Sequence, residues 1–101
     1  MFRISEKVIY LENGIIAPKF LNEAENVKTV FTDFKDFKDI SNSTLFIFEE
    51  TFIKHEFNTE NCIYIVYSDK IQQFSLYYQN SHIIIKIPGN TLDSEYIKVL
   101  L

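Results

Sequence analysis

The side chains of this chain that could do chemistry are few and far apart. Of its two histidines, His55 and His82, neither has a second His or Cys at metal-ligand spacing. His55 stands beside Glu56, but neighbours on a strand point to opposite faces, so His55 reads as a surface or edge residue. His82 opens the apolar run "HIIIKI", where a capping or solvent-facing role is expected. The single cysteine, Cys62, begins "CIYIVYS" and reads as a small core thiol rather than a nucleophile. Ser41, Ser43, Ser68, Ser81 and Ser94 fall at turns. None sits in a Gly-x-Ser-x-Gly elbow, and the chain has only two glycines with which to build one.

Carboxylates are more numerous. In "FTDFKDFKDI" an apolar residue recurs at Phe31, Phe34, Phe37 and Ile40, and three are preceded by Asp33, Asp36 and Asp39. A calcium loop alternates its oxygen ligands and needs a glycine at its bend. Here the repeat is three and no glycine occurs between Gly14 and Gly89, so no metal is expected. Glu49 and Glu50 are sequence neighbours and would face opposite ways on a strand. Tyr64, Tyr67, Tyr77 and Tyr78 suggest an aromatic platform on two paired strands. Base stacking would need lysines or arginines beside it, and only Lys70 is near in sequence. The expectation is no catalytic residue, no cofactor, no metal and no nucleic acid.

Charge is the stronger signal. The net charge is −4, and from Leu21 to Glu60 nine acids face four bases, against five acids and six bases elsewhere. An acidic middle segment suits a basic protein partner through complementarity and steering. Asp36, Asp39, Glu49, Glu50 and Glu56 are the expected partner-binding residues. The plainer alternative is a solvated charged face.

These residues must be positioned by local structure. Asn13-Gly14 lies between two apolar runs, the pattern of a hairpin with a type I′ turn. From Lys19 to Lys38, residues Phe20, Ala24, Val27, Phe31 and Phe34 fall within roughly 80° on a helical projection. Early acids and late lysines suit a helix dipole. The competing reading is a strand at 27–32, where Thr29, Val30 and Thr32 are β-branched. The long helix is preferred because its apolar face persists. "TLFIFEET" alternates, "FIKHEF" continues it or pairs back, and "NTEN" is a turn. "CIYIVYS" is apolar on both faces and belongs inside a sheet. "IQQFSLYY" and "HIIIKI" follow, joined at Gln79-Asn80-Ser81. The tail from Thr91 is a short helix or an edge strand. The expected fold class is therefore α+β: an antiparallel β-meander of about five to six strands in a single domain spanning 1–101. One long helix covers one face, with a short C-terminal helix as an option.

A chain of 101 residues with a lone cysteine needs no disulfide frame and suits a reducing compartment. The opening "MFRISEKVIYLENG" lacks a signal-peptide core, and no segment approaches a membrane span. A cytoplasmic, non-enzymatic protein is expected, a monomer or weak homodimer. The leading functional expectation is an immunity protein that neutralises a basic, nuclease-like toxin by protein–protein contact. The alternatives are a self-associating accessory module, a phage-type inhibitor of a host defence nuclease, and a small enzyme or ligand carrier with a pocket between helix and sheet.

Overall fold

The computed structural model describes residues 7–23, 25–37, 39–54, 56 and 59–89. In chain order the elements are β1 (Lys7–Glu12), α1 (Lys19–Glu23), β2 (Val27–Thr32), α2 (Phe34–Phe37), β3 (Thr44–Phe48), α3 (Glu49–Lys54), β4 (Ile63–Ser68), β5 (Ser75–Gln79) and β6 (His82–Pro88). The strands form one sheet in the order β2-β1-β3-β4-β6-β5. Every neighbouring pair is parallel except β5 with β6. The architecture is a mostly parallel α/β sheet with short helices, and it overturns the expected antiparallel meander under one long helix.

The spacing of the strands accounts for the parallel order. Parallel neighbours need a crossover of roughly a dozen residues. The links from Asn13 to Asn26 and from Glu49 to Cys62 are of that size, and each carries a short helix. The shortest link is β5–β6, with Gln79 paired to His82 across Asn80 and Ser81. Asn80 takes a positive φ of 56° there, which asparagine tolerates better than most residues. This hairpin is the one part of the expected meander that survives among the described residues.

The expected hairpin at Asn13-Gly14 fails for a backbone reason. Gly14 has φ of 101°, but Asn13 is not among the residues with positive φ. A type I′ turn needs positive φ at both central positions, whereas a type II turn needs it only at the second. The Ile15 amide donates to the Glu12 carbonyl at 3.1 Å, closing a turn that directs the chain into a crossover instead of back along β1.

The expected helix over Lys19–Lys38 is three elements: α1, β2 and α2. The β-branched Val27, Thr29, Val30 and Thr32 put this stretch on the sheet, where β2 pairs with the whole of β1 from Lys7↔Val27 to Glu12↔Thr32. The helical stripe was a coincidence of spacing. Phe31, which it placed in the core, is 49% exposed on the edge strand. "FIKHEF" was expected to stay extended. Its first residues instead continue α3, which begins directly after β3 with Glu49 and Glu50 in its first turn, where acids suit the helix dipole. The options for the tail from Thr91 lie outside the described residues.

Parallel strands covered on both faces read as continuous apolar runs, and the inner strands do. Leu45, Phe46 and Ile47 of β3 and Tyr64, Ile65 and Val66 of β4 are all buried. Alternation divides them into two layers. One face carries Ile9, Leu11, Phe46, Ile65, Ile85 and Ile87, closed by Ile15 and Leu21 from the first crossover. The other carries Leu45, Ile47, Tyr64, Val66 and Ile84, with Cys62, Phe52 of α3 and Ile40 packed against it.

Candidate functional site

Parallel strands end together, so this topology gathers side chains that are distant in sequence. At the carboxyl ends of β2, β3 and β4 stand Asp33 and Asp36, then Glu49 and Glu50, then Asp69. Asp33, Asp36, Glu50 and Asp69 are exposed. Lys35, Lys54 and Lys70 lie among them, so the edge is acidic but mixed. Asp33 accepts a hydrogen bond from the Asn13 side-chain amide at 2.6 Å, which ties the β1 turn to the end of β2.

The five residues expected to bind a partner separate into two groups. Asp36, Glu49 and Glu50 reach the carboxyl edge. β1 lies between β2 and β3, so Asp36 is about two strand spacings, roughly 10 Å, from the glutamates. Glu49 is half-buried and forms an ion pair with Lys86 at 3.6 Å. Asp39 is exposed on the link returning from α2 to β3, and Glu56 is exposed beyond α3, at the rim of a cleft on the sheet face. Asp33 and Asp69 join the edge only through the parallel order, which an antiparallel reading could not supply.

In an open α/β sheet the crevice where successive strands run to opposite sides is the usual ligand site. Here it lies between β1 and β3, and Glu12 fills it. This carboxylate is only 9% exposed. It accepts from the Phe48 amide at 3.0 Å and from the Thr51 hydroxyl at 2.7 Å. Glu12 thus caps the start of α3 from a neighbouring strand, taking the backbone amide just before the helix and a hydroxyl from its first turn. The Phe48 ring closes over Gly14, where an added Cβ would stand 3.4 Å from it.

The second feature is a half-open cleft of about 610 Å3 between α3 and the β5–β6 hairpin. Phe52, Tyr64 and Tyr77 supply aromatic walls, and Ile84, His82 and Lys86 come from β6. His82 is 8% exposed, contrary to the solvent role read from sequence. Its Nδ1 accepts from the Cys62 amide at 3.1 Å, so the hydrogen of the neutral ring is assigned to Nε2. Cys62 is the expected core thiol: it is buried and its Sγ donates to the Ile40 carbonyl at 3.2 Å. His55 lies outside the described residues.

The tyrosines form no common platform. Tyr64 and Tyr77 are on the cleft face, while Tyr67 and Tyr78 face the other way by strand alternation. Tyr64 is 1% exposed, and its hydroxyl shares a 2.8 Å hydrogen bond with Thr59. Burial pushes the Tyr64 hydroxyl from 10 up to about 12. Tyr67 is likewise pushed up to about 12, by burial and then by the negative charges of Glu12 and Asp69. A folded-state value above the unfolded one gives stability that is complete below pH 10 and lost as pH rises through about 12. Two of the six tyrosines are therefore expected to ionise late and together with alkaline unfolding. Tyrosinate absorbance recorded alongside circular dichroism checks this. Independent ionisation of both, well below the unfolding transition, would contradict it.

Among the described residues, no group of three or more His, Cys, Asp or Glu side chains is placed to hold a metal ion. No helix among them is long and apolar enough to cross a membrane. Compared with protein-family models, with curated proteins and with solved structures, the chain matches none.

Proposed function

We propose that this protein is a non-enzymatic, protein-binding inhibitor of the immunity-protein kind, acting in the cytoplasm, with the carboxyl edge of its sheet against a basic partner such as a nuclease-like toxin. The observation that carries the reading is the convergence of Asp33, Asp36, Glu50 and Asp69 on one end of the sheet. Parallel strands present them together, and although Lys35, Lys54 and Lys70 lie among them the acids outnumber the bases, a balance that favours encounter with a basic partner. A phage-type inhibitor of a defence nuclease would use the same surface.

The test is co-expression with toxins encoded beside its gene, followed by binding measurements at graded salt. Protection from one toxin and a salt-sensitive complex are expected. The combined substitution Asp36→Lys and Glu50→Lys is expected to slow association about tenfold or more at low salt. Association that ignores both salt and charge reversal removes the reading.

A specific observation favours a second reading, self-association through the sheet edge. β5 has no charged residue or proline in "SLYYQ", the devices that usually blunt an edge strand. Leu76 is 56% and Tyr78 75% exposed. The occupant would be β5 of a second copy. Sedimentation separates the readings: a salt-insensitive dimer supports the edge, and a monomer leaves the inhibitor reading in place.

A further inference from the structure

The cleft on the sheet face is a separate feature from the acidic edge, to which the Lys86–Glu49 ion pair joins it, and it points to a different kind of partner. Its floor is one line of side chains. Alternation along β6 puts His82, Ile84 and Lys86 on the same face, so the two polar residues flank a buried isoleucine with backbones roughly 13 Å apart. Tyr77 lies opposite Ile84 in the β5–β6 register, and Phe52 of α3 walls the same cavity.

Each end of this line has a polar group available to a guest. At one end, the His82 ring is more than nine-tenths buried and lines the cavity. Nδ1 is turned back onto the Cys62 amide, which leaves the hydrogen on Nε2, and among the described residues no acceptor takes it. A buried donor of that kind is normally satisfied. At the other end, the Lys86 ammonium lies 3.6 Å from Glu49 and 6.0 Å from the centre of the Tyr77 ring. It is a multiple donor, so one long ion pair does not use all its hydrogens. The 610 Å3 volume is within the range of small-molecule sites.

We propose that this cleft binds a small, elongated aromatic carboxylate. Its ring lies over Ile84 between Phe52 and Tyr77, its carboxylate meets Lys86, and an acceptor at its far end takes the hydrogen of His82 Nε2. The order of charge, flat apolar body and acceptor follows the order of Lys86, Ile84 and His82 along β6. Glu56 at the rim disfavours a second negative charge there.

The test titrates the full chain with three probes: 4-acetylbenzoate, benzoate, which lacks the acceptor, and 4-acetylbenzamide, which lacks the charge. The readouts are the Cys62 backbone amide and the His82 ring nitrogens by NMR. The expected result is saturable binding of 4-acetylbenzoate, with each other probe about tenfold weaker. Only probes that carry the acetyl group should move the Nε2 resonance strongly. Lys86→Gln should bring 4-acetylbenzoate down to the affinity of the amide and leave the amide unchanged. Glu49→Gln, which removes the competing carboxylate from outside the cleft, should tighten 4-acetylbenzoate and serves if Lys86→Gln does not fold. Resonances unmoved up to about 10 mM probe would mean that water alone occupies the cleft, and the proposal fails. It also fails if all three probes bind equally, if Lys86→Gln leaves 4-acetylbenzoate tighter than the amide, or if Glu49→Gln does not tighten 4-acetylbenzoate.

Discussion

Glu12→Ala is expected to destabilise the protein by about 3 kcal/mol. The carboxylate is 9% exposed and accepts from the Phe48 amide and the Thr51 hydroxyl. Hydrogen bonds to a charged acceptor each contribute roughly 1.5–3 kcal/mol, and a buried donor left unmatched costs about 1–3 kcal/mol. Alanine removes the acceptor for both donors and opens the crevice between β1 and β3. Part of the loss is offset because the cavity lies near the surface, where water can reach the exposed donors. Glu12→Gln is the control. Its carbonyl can still accept from Phe48, and its amide can donate to the Thr51 oxygen, so about 1 kcal/mol is expected. Urea unfolding reads both. Against a typical total of about 5–15 kcal/mol, the alanine variant should unfold at a much lower denaturant concentration, with the slope unchanged. Equal losses for the two variants would show that the carboxylate itself is required, because glutamine keeps the volume and a neutral acceptor and would still fail to replace it. The change should also loosen α3, and with it the placement of Glu49 and Glu50 at the edge and of Phe52 in the cleft.

Glu12 shows why the site was only partly legible in the sequence. In "VIYLENG" it is one glutamate before a turn signal, and nothing local marks it as buried. Its partners lie 36 and 39 residues away, and only the β1–β3 pairing brings them near. The same holds for Asp33 and Asp69, which share an edge with Asp36 and Glu50 because β2, β3 and β4 run in one direction. Strand positions were readable in part: at 27–32 the strand was the competing reading and the preferred helix was wrong. The β-branched content of Val27–Thr32 and the two-faced apolarity of "CIYIVYS" both correspond to real strands, and Cys62 is core as its surroundings imply. Strand direction was not readable from alternation, which is identical in parallel and antiparallel pairs. It follows from link length, and the links were misjudged because the helices they carry are only four to six residues long. Elements that short leave almost no amphipathic periodicity to detect. For His82 only the solvent-facing option fails: the ring accepts the Cys62 backbone amide, as the capping option has it.

The two readings of the segment from Lys19 to Lys38 assign opposite weights to Phe31, so its substitution, measured against that of the buried Phe46, decides between them. In the parallel sheet, Phe46 is fully buried on β3, in the layer shared with Ile9, Leu11 and Ile65. Removing such a ring costs the transfer free energy of its atoms and leaves a cavity among neighbours that collapse only in part, about 3–5 kcal/mol for Phe→Ala. Strands on both sides of β3 limit that collapse, so the upper half of the range is expected. Phe31 lies on the edge strand opposite Leu11 and is 49% exposed. Its replacement by alanine gives up about half the ring's burial, and no enclosed cavity follows. About 1 kcal/mol is expected, with part of that due to the lower strand propensity of alanine. Under a long amphipathic helix the order would differ, because Phe31 would stand at the centre of the stripe covering the sheet. Denaturant unfolding of Phe46→Ala and Phe31→Ala therefore tests the topology as well as the energies. A loss at Phe31 equal to that at Phe46 would contradict an edge position for β2. It would also undermine the carboxyl edge, because Asp33 and Asp36 reach that edge only if the chain leaves β2 alongside β1.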